Sequence, residues 1–156
     1  MKKLKRILGL SLALVFLSAV AVNAQSNQEE VDFVQSIFGM EKKQAVAEFL
    51  DLDSSNAFWP LYDEYEVSRK ELGKRRVDLL DDYVSNYETM DGVATDAMVK
   101  EAISLRKAHD KLIDQYYKKI KKVSGAKRAA QFYQIENYIQ SAIRYGILEG
   151  IPFLEE

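Results

Sequence analysis

Between Glu29 and Leu148 the chain holds a single proline, Pro60, while large or apolar residues return every third and fourth position. The clearest run is Phe58, Tyr62, Tyr65, Arg69, Leu72, Arg76, Leu79 and Tyr83. That period is the repeat of an α-helix with one face turned inward. A strand needs alternation at every second position, and no segment keeps it up between turn residues. The chain is therefore predicted to be all-α.

Four long amphipathic helices are expected. The first spans about residues 29–50, with Val31, Val34, Ile37, Phe38, Val46, Phe49 and Leu50 on its stripe and Gly39 as a soft point. The second starts from a cap at Asp53 or Ser54 and ends near Met90. Thr95 caps a third, 96–123, whose stripe is Val99, Ala102, Arg106, His109, Ile113, Tyr116, Ile120 and Val123. Ser124-Gly125 breaks the pattern. A fourth helix, 126–148, carries Phe132, Ile135, Ile139, Ala142 and Gly146. The tail from Ile147 to Leu154 is apolar, and Pro152 stops further helix, so it is expected to pack back on a groove or a partner. Helices of about 28 to 35 residues span roughly 40 to 50 Å. Drawn from so short a chain, they make an elongated helical-hairpin arrangement with a thin core, and dimerisation is expected.

The N-terminus bears on compartment. Lys2, Lys3, Lys5 and Arg6 precede an uncharged apolar run, Ile7 to Val22, and Val22-Asn23-Ala24 offers small residues for cleavage before Gln25. Residues 1–24 read as a secretory signal peptide, leaving one all-helical domain, 25–156, in the periplasm. The apolar run is short for a retained anchor of about 20 residues. The leader holds four of the 22 basic residues and none of the 24 acidic ones, so 18 face 24 and the remaining chain carries a net charge of −6. That balance argues against nucleic acid as a partner. With no cysteine, the chain has neither disulfides nor thiol chemistry.

Catalytic patterns are missing. The only histidine, His109, has Leu105, Arg106, Leu112 and Ile113 at the neighbouring helical offsets, none of them a metal ligand. It reads as a packed or interface residue. Asp63, Glu64, Glu66, Asp78, Asp81, Asp82, Asp110 and Asp114 stand among Lys and Arg at spacings of three and four, the pattern of a solvated, salt-bridged face rather than a paired-carboxylate hydrolase. Glu-x-x-His, Cys-x-x-Cys-His and Gly-rich phosphate loops are absent. The prediction is no enzyme, no metal and no cofactor. What remains is aromatic: nine Tyr, seven Phe and one Trp. These either fill a core poor in Leu or form a protein-binding face that is sometimes wet and sometimes covered. On the second reading the contact residues are Tyr62, Tyr65, Arg69, Arg76, Tyr116, Tyr117 and Lys121.

The stretch LDLDSSNAFWPLYDEYE, residues 50–66, is read as a helix entry rather than an aromatic-carboxylate pocket. Proline is tolerated in a first turn, where its missing N–H has no helical partner, and Trp59 is expected to anchor that entry in the core. Leu52-Asp53-Ser54-Ser55-Asn56 resembles the Leu-Thr-x-x-Gln motif of the Spy/CpxP-like periplasmic proteins, with Asp for Thr and Asn for Gln. A fainter echo is Val123-Ser124-Gly125-Ala126-Lys127. Phe58-Trp59-Pro60-Leu61-Tyr62 is similar to a run in relatives labelled sensors of extracytoplasmic-function sigma factors. The resemblance covers about residues 44–148 and takes in the helix-entry residues Leu52, Asp53, Asn56, Trp59 and Pro60. It implies a thin, curved helical-hairpin dimer that binds unfolded proteins without ATP or dampens an envelope stress sensor. The family's client-binding faces mix basic and apolar residues. Here Lys70, Lys74, Arg75, Arg76, Lys118, Lys119, Lys121, Lys122, Lys127 and Arg128 are the cations available to do so. The rival reading is a structural or partner-specific helical protein of the envelope.

Overall fold

The structure, a computed structural model, describes residues 27–154, with side chains from Phe38 onward. The leader read in residues 1–24 and the side chains of Val31, Val34 and Ile37 lie outside the described residues. All regular structure in the described chain is helical: α1 (Asn27–Leu50), α2 (Phe58–Asn86) and α3 (Gly92–Gly150).

Three elements replace the four expected, because a single residue separates the last two. Gly125 sits at φ 80°, ψ 168° inside α3. The two arms, 92–124 and 126–150, fold back on each other there. The ring of Tyr65 lies 5.5 Å from that of Tyr116 and 5.2 Å from that of Phe132. On a straight helix those two residues would stand about 24 Å apart. Tyr117 and Tyr133, equidistant in sequence from Gly125, meet at 6.1 Å. The second half of α2 runs beside both arms, and the Tyr83 hydroxyl donates to the Pro152 carbonyl at 2.7 Å, so the apolar tail packs back onto α2.

The Gly125 backbone belongs to a region that only glycine occupies without strain. A Cβ there would meet no atom within 4 Å, so the penalty of a side chain is conformational, not steric. Gly125→Ala is expected to lower stability by about 1 to 3 kcal/mol, read from urea unfolding of the two proteins.

Other boundaries shift for local reasons. Asp91, not Thr95, caps α3: its carboxylate accepts from the Ala94 N–H at 2.8 Å, and the Thr95 hydroxyl instead donates to the Asp91 carbonyl at 2.8 Å. Gly39 does not interrupt α1. It lies where α1 passes close to α2, and a Cβ there would stand 3.6 Å from Lys70 Cε. Helix α1 ends with Asp51 in the left-handed region, φ 51°, and the Leu52 N–H bonded to the Ala47 carbonyl at 3.3 Å, the closing turn that glycine usually provides. The Arg128 guanidinium donates to the free Leu50 carbonyl and ties this end to the second arm of α3.

One apolar core joins the three helices. It contains Val46 and Leu50 from α1, Phe58, Trp59, Tyr62 and Tyr65 from α2, and Leu112, Ile113, Tyr116, Ile120, Phe132, Ile135 and Ile139 from α3. The aromatic rings pack edge to face, as Tyr62 and Tyr65 do against Phe132, both at 87°. That geometry sets positive ring edges on negative faces.

Candidate functional site

The helix entry is built by side chains that answer unsatisfied N–H groups. Asn56 Oδ1 accepts from the Phe58 N–H at 3.0 Å, one of the donors that a new helix leaves free. Asp53, expected as the cap, instead closes a turn on itself, accepting from the Ser55 N–H at 2.9 Å and the Ser55 hydroxyl at 2.5 Å. Those Ser55 bonds hold its carboxyl below the usual range. The Trp59 indole donates to the Asp53 carbonyl at 2.6 Å, while its ring is only 7% exposed and packs edge-on against Phe58 and Tyr62. Pro60 stands in the first turn and Leu52 packs against the core. The residues of this stretch make an anchored helix start.

Four of the seven residues offered as a protein-binding face are not accessible. Tyr62, Tyr65, Arg69 and Tyr116 are buried, the first two completely. They sit on the inward stripe of α2 and the first arm of α3, and the second arm covers them. They cannot be contact residues in this fold.

Buried with them is a charge network that the sequence reading did not single out. Lys42 of α1 reaches Glu66 Oε1 at 2.5 Å and Glu136 Oε2 at 2.8 Å. Arg69 Nε donates to Glu66 Oε2 at 2.9 Å. The Tyr65 hydroxyl donates to Glu136 Oε2 at 2.6 Å and that of Tyr62 to Glu136 Oε1 at 3.3 Å. The Lys42 ammonium also lies 5.0 Å from the Tyr65 ring and 5.5 Å from that of Tyr62, a cation over aromatic faces. Glu66, read as part of a solvated face, is thus enclosed. Burial pushes its carboxyl up, but Lys42 and Arg69 outweigh this and hold it below the ordinary value. Burial first, then the Glu136 carboxylate, raises both tyrosines well above theirs, so they remain donors. Two cations and two carboxylates balance. The network joins three helices, with Lys42 and Glu136 almost wholly enclosed and the Glu66 side chain 11% exposed.

The signal that would have revealed it is register. Lys42 follows Phe38 by four, Glu66 follows Tyr62 by four, and Glu136 follows Phe132 by four and precedes Ile139 by three. Each charge lies on the apolar stripe of its own helix.

His109 is 4% exposed on the same inward stripe, and neither ring nitrogen has a partner. Burial, then Arg76, Arg69 and Lys42, push its pKa down to about 3, so it stays neutral. Among the described residues no three His, Asp or Glu side chains converge as a metal site. No helix among them is long and apolar enough to cross a membrane.

The accessible members of the expected face lie near the Gly125 turn. Tyr117 is half-buried and packs edge-on against Tyr133, itself 43% exposed. Lys121 holds its ammonium 6.0 Å from the Tyr117 ring. Lys118, Lys121, Lys122 and Lys127 are exposed on the turns of α3 to either side of Gly125, and among the described residues no carboxylate pairs with them. Lys119 differs, bonding Glu64 at 3.2 Å. Arg76 lies elsewhere, half-buried beside Gln140 at 3.3 Å. The tip is thus locally basic and aromatic on a chain that is acidic as a whole. Set beside known protein families, curated proteins and solved structures, the chain matches none.

Proposed function

We propose that this is a non-enzymatic periplasmic protein, exported by a cleaved leader, that acts by binding other proteins. In its Spy-like form it is an ATP-independent chaperone or a modulator of an envelope stress signal. The observation that carries the reading is the tip surface, where Tyr117 and Tyr133 pack together with the Lys121 ammonium 6.0 Å from Tyr117, on turns of α3 that also carry the exposed Lys118, Lys122 and Lys127. Rigid aromatic rings give contact area at little entropic cost, and cations draw acidic segments of a client toward them.

Aggregation of a chemically denatured acidic client tests it. The protein at equal molar ratio slows aggregation, less so at high salt, where the cations are screened. Joint replacement Tyr117→Ser and Tyr133→Ser weakens client binding about tenfold or more, as loss of paired anchor residues does. An aggregation rate unchanged by the unaltered protein overturns the reading.

The partner-specific alternative draws on Tyr138 and Tyr145, exposed at 42% and 63% and spaced seven apart on the second arm of α3. A homodimer contact along that stripe would cover them. Sedimentation of the Tyr145→Lys variant as monomer, against a dimer for the parent, supports that contact.

A further inference from the structure

At the end of the bundle away from Gly125, α2, the two arms of α3 and the tail border an open cleft of about 610 Å³, within the range of small-ligand sites. Its walls are apolar, supplied by Leu79, Tyr83, Met98, Ile103, Ile147 and Phe153 among others. Its polar end is basic. Arg76, Arg106 and Arg144 line it with His109 and Gln140, against one carboxylate, Asp110. Among the described residues no carboxylate pairs with Arg106 or Arg144. Burial, then the charges of Arg69 and Arg144, depress Arg76, as expected of cations crowded without a counter-ion. Beside them His109 is enclosed with both ring nitrogens unpartnered. A neutral imidazole carries one N–H donor, and leaving it unmet in a buried place is costly. The Tyr83–Pro152 bond at 2.7 Å holds the tail, with Phe153 and Leu154, along the cleft wall.

We propose that this cleft binds a single-chain anionic amphiphile, its head on Arg76, Arg144 and His109 and its chain along the apolar walls. A carboxylate or a phosphate head accepts from guanidinium and imidazole N–H groups alike. The bound head supplies the counter-charge that the arginines lack and the acceptor that His109 lacks. The site is at the opposite end from the tip surface and stands or falls separately from the proposed function.

Calorimetric titration of the delipidated protein tests this, with three probes of similar chain length below their micelle concentrations. These are palmitate, palmitoyl lysophosphatidate and hexadecyltrimethylammonium. At least one anionic probe saturates at one per chain and raises the melting temperature, while the cationic probe does not saturate. The tighter of the two anions identifies the head group. Arg144 is exposed, so Arg144→Glu leaves folding intact by circular dichroism and weakens the anionic probe about tenfold or more, the loss expected for a charged hydrogen bond. Failure of both anions to saturate, equal binding of the cation, or an Arg144→Glu protein of unchanged affinity overturns the proposal.

Discussion

Glu136→Ala is expected to destabilise the protein by about 3 to 5 kcal/mol, the cost of leaving a buried charge without its partner. Glu136 is fully enclosed and accepts from Lys42, Tyr62 and Tyr65 at once. Its removal leaves the Lys42 ammonium with Glu66 alone, which Arg69 already shares. Two tyrosine hydroxyls lose their acceptor as well. For a chain of this length the melting temperature falls by roughly 10 °C or more. The paired replacement Lys42→Met with Glu136→Gln removes both charges and keeps an acceptor for the tyrosines. It is expected to cost less than Glu136→Ala alone, because the attraction inside a buried pair largely offsets the cost of desolvating it. Urea unfolding of the three proteins makes the comparison. A Glu136→Ala loss below about 1 kcal/mol, the worth of an ordinary hydrogen bond, would mean that the network is solvated.

The second large effect is acid instability. His109 titrates near 6.5 when unfolded and at about 3 when folded. From pH 6.5 down to 3 the unfolded chain takes up a proton that the folded one refuses, so stability falls with falling pH. The slope approaches about 1.4 kcal/mol per pH unit. Between pH 6.5 and 4.5 this amounts to about 2 to 3 kcal/mol. Glu66 adds to the loss at lower pH. Its folded pKa lies below the ordinary 4.5, so the stability it contributes is present above that value and disappears as pH drops through the folded one. His109→Leu removes the first component and keeps the second. Its stability is expected to be nearly flat from pH 6.5 to 5, where the parent declines. A decline of equal slope in both proteins would assign the effect to other groups.

Helical period, sparse proline and the Ser124-Gly125 break were enough to read the all-α class and the places where the chain turns. Trp59 and Pro60 announced a helix start because their constraints are local: a ring that must be covered and a nitrogen without a hydrogen. The cap was misplaced, since Asp53, Ser54 and Asn56 can all accept N–H bonds and only the three-dimensional turn selects Asn56. For the aromatic stripe, core filling and a binding face stayed open, and the residues offered for the face were mostly core, for a different reason. Period shows that Tyr62, Tyr65 and Tyr116 share a stripe, but not whether a neighbouring helix covers it. Here the second arm of α3 does, bringing Phe132 against Tyr65. Lys42 and Glu136 were not singled out: the first stands in the polar run Glu41-Lys42-Lys43-Gln44, the second between Ile135 and Asn137. Register puts each charge on an apolar stripe, but the partner that makes its burial possible lies many residues away, 94 in this pair, and the local sequence does not name it.

Site-specific photo-crosslinking to a denatured acidic client tests the proposed function most directly. A crosslinking residue replaces Tyr133 at the tip in one protein, and Val93, 80% exposed at the far end of the first arm, in another. Client adducts are expected from position 133, weakened by added salt, and none above background from position 93. Adducts from 93 and not from 133, or from neither, would contradict the proposed function.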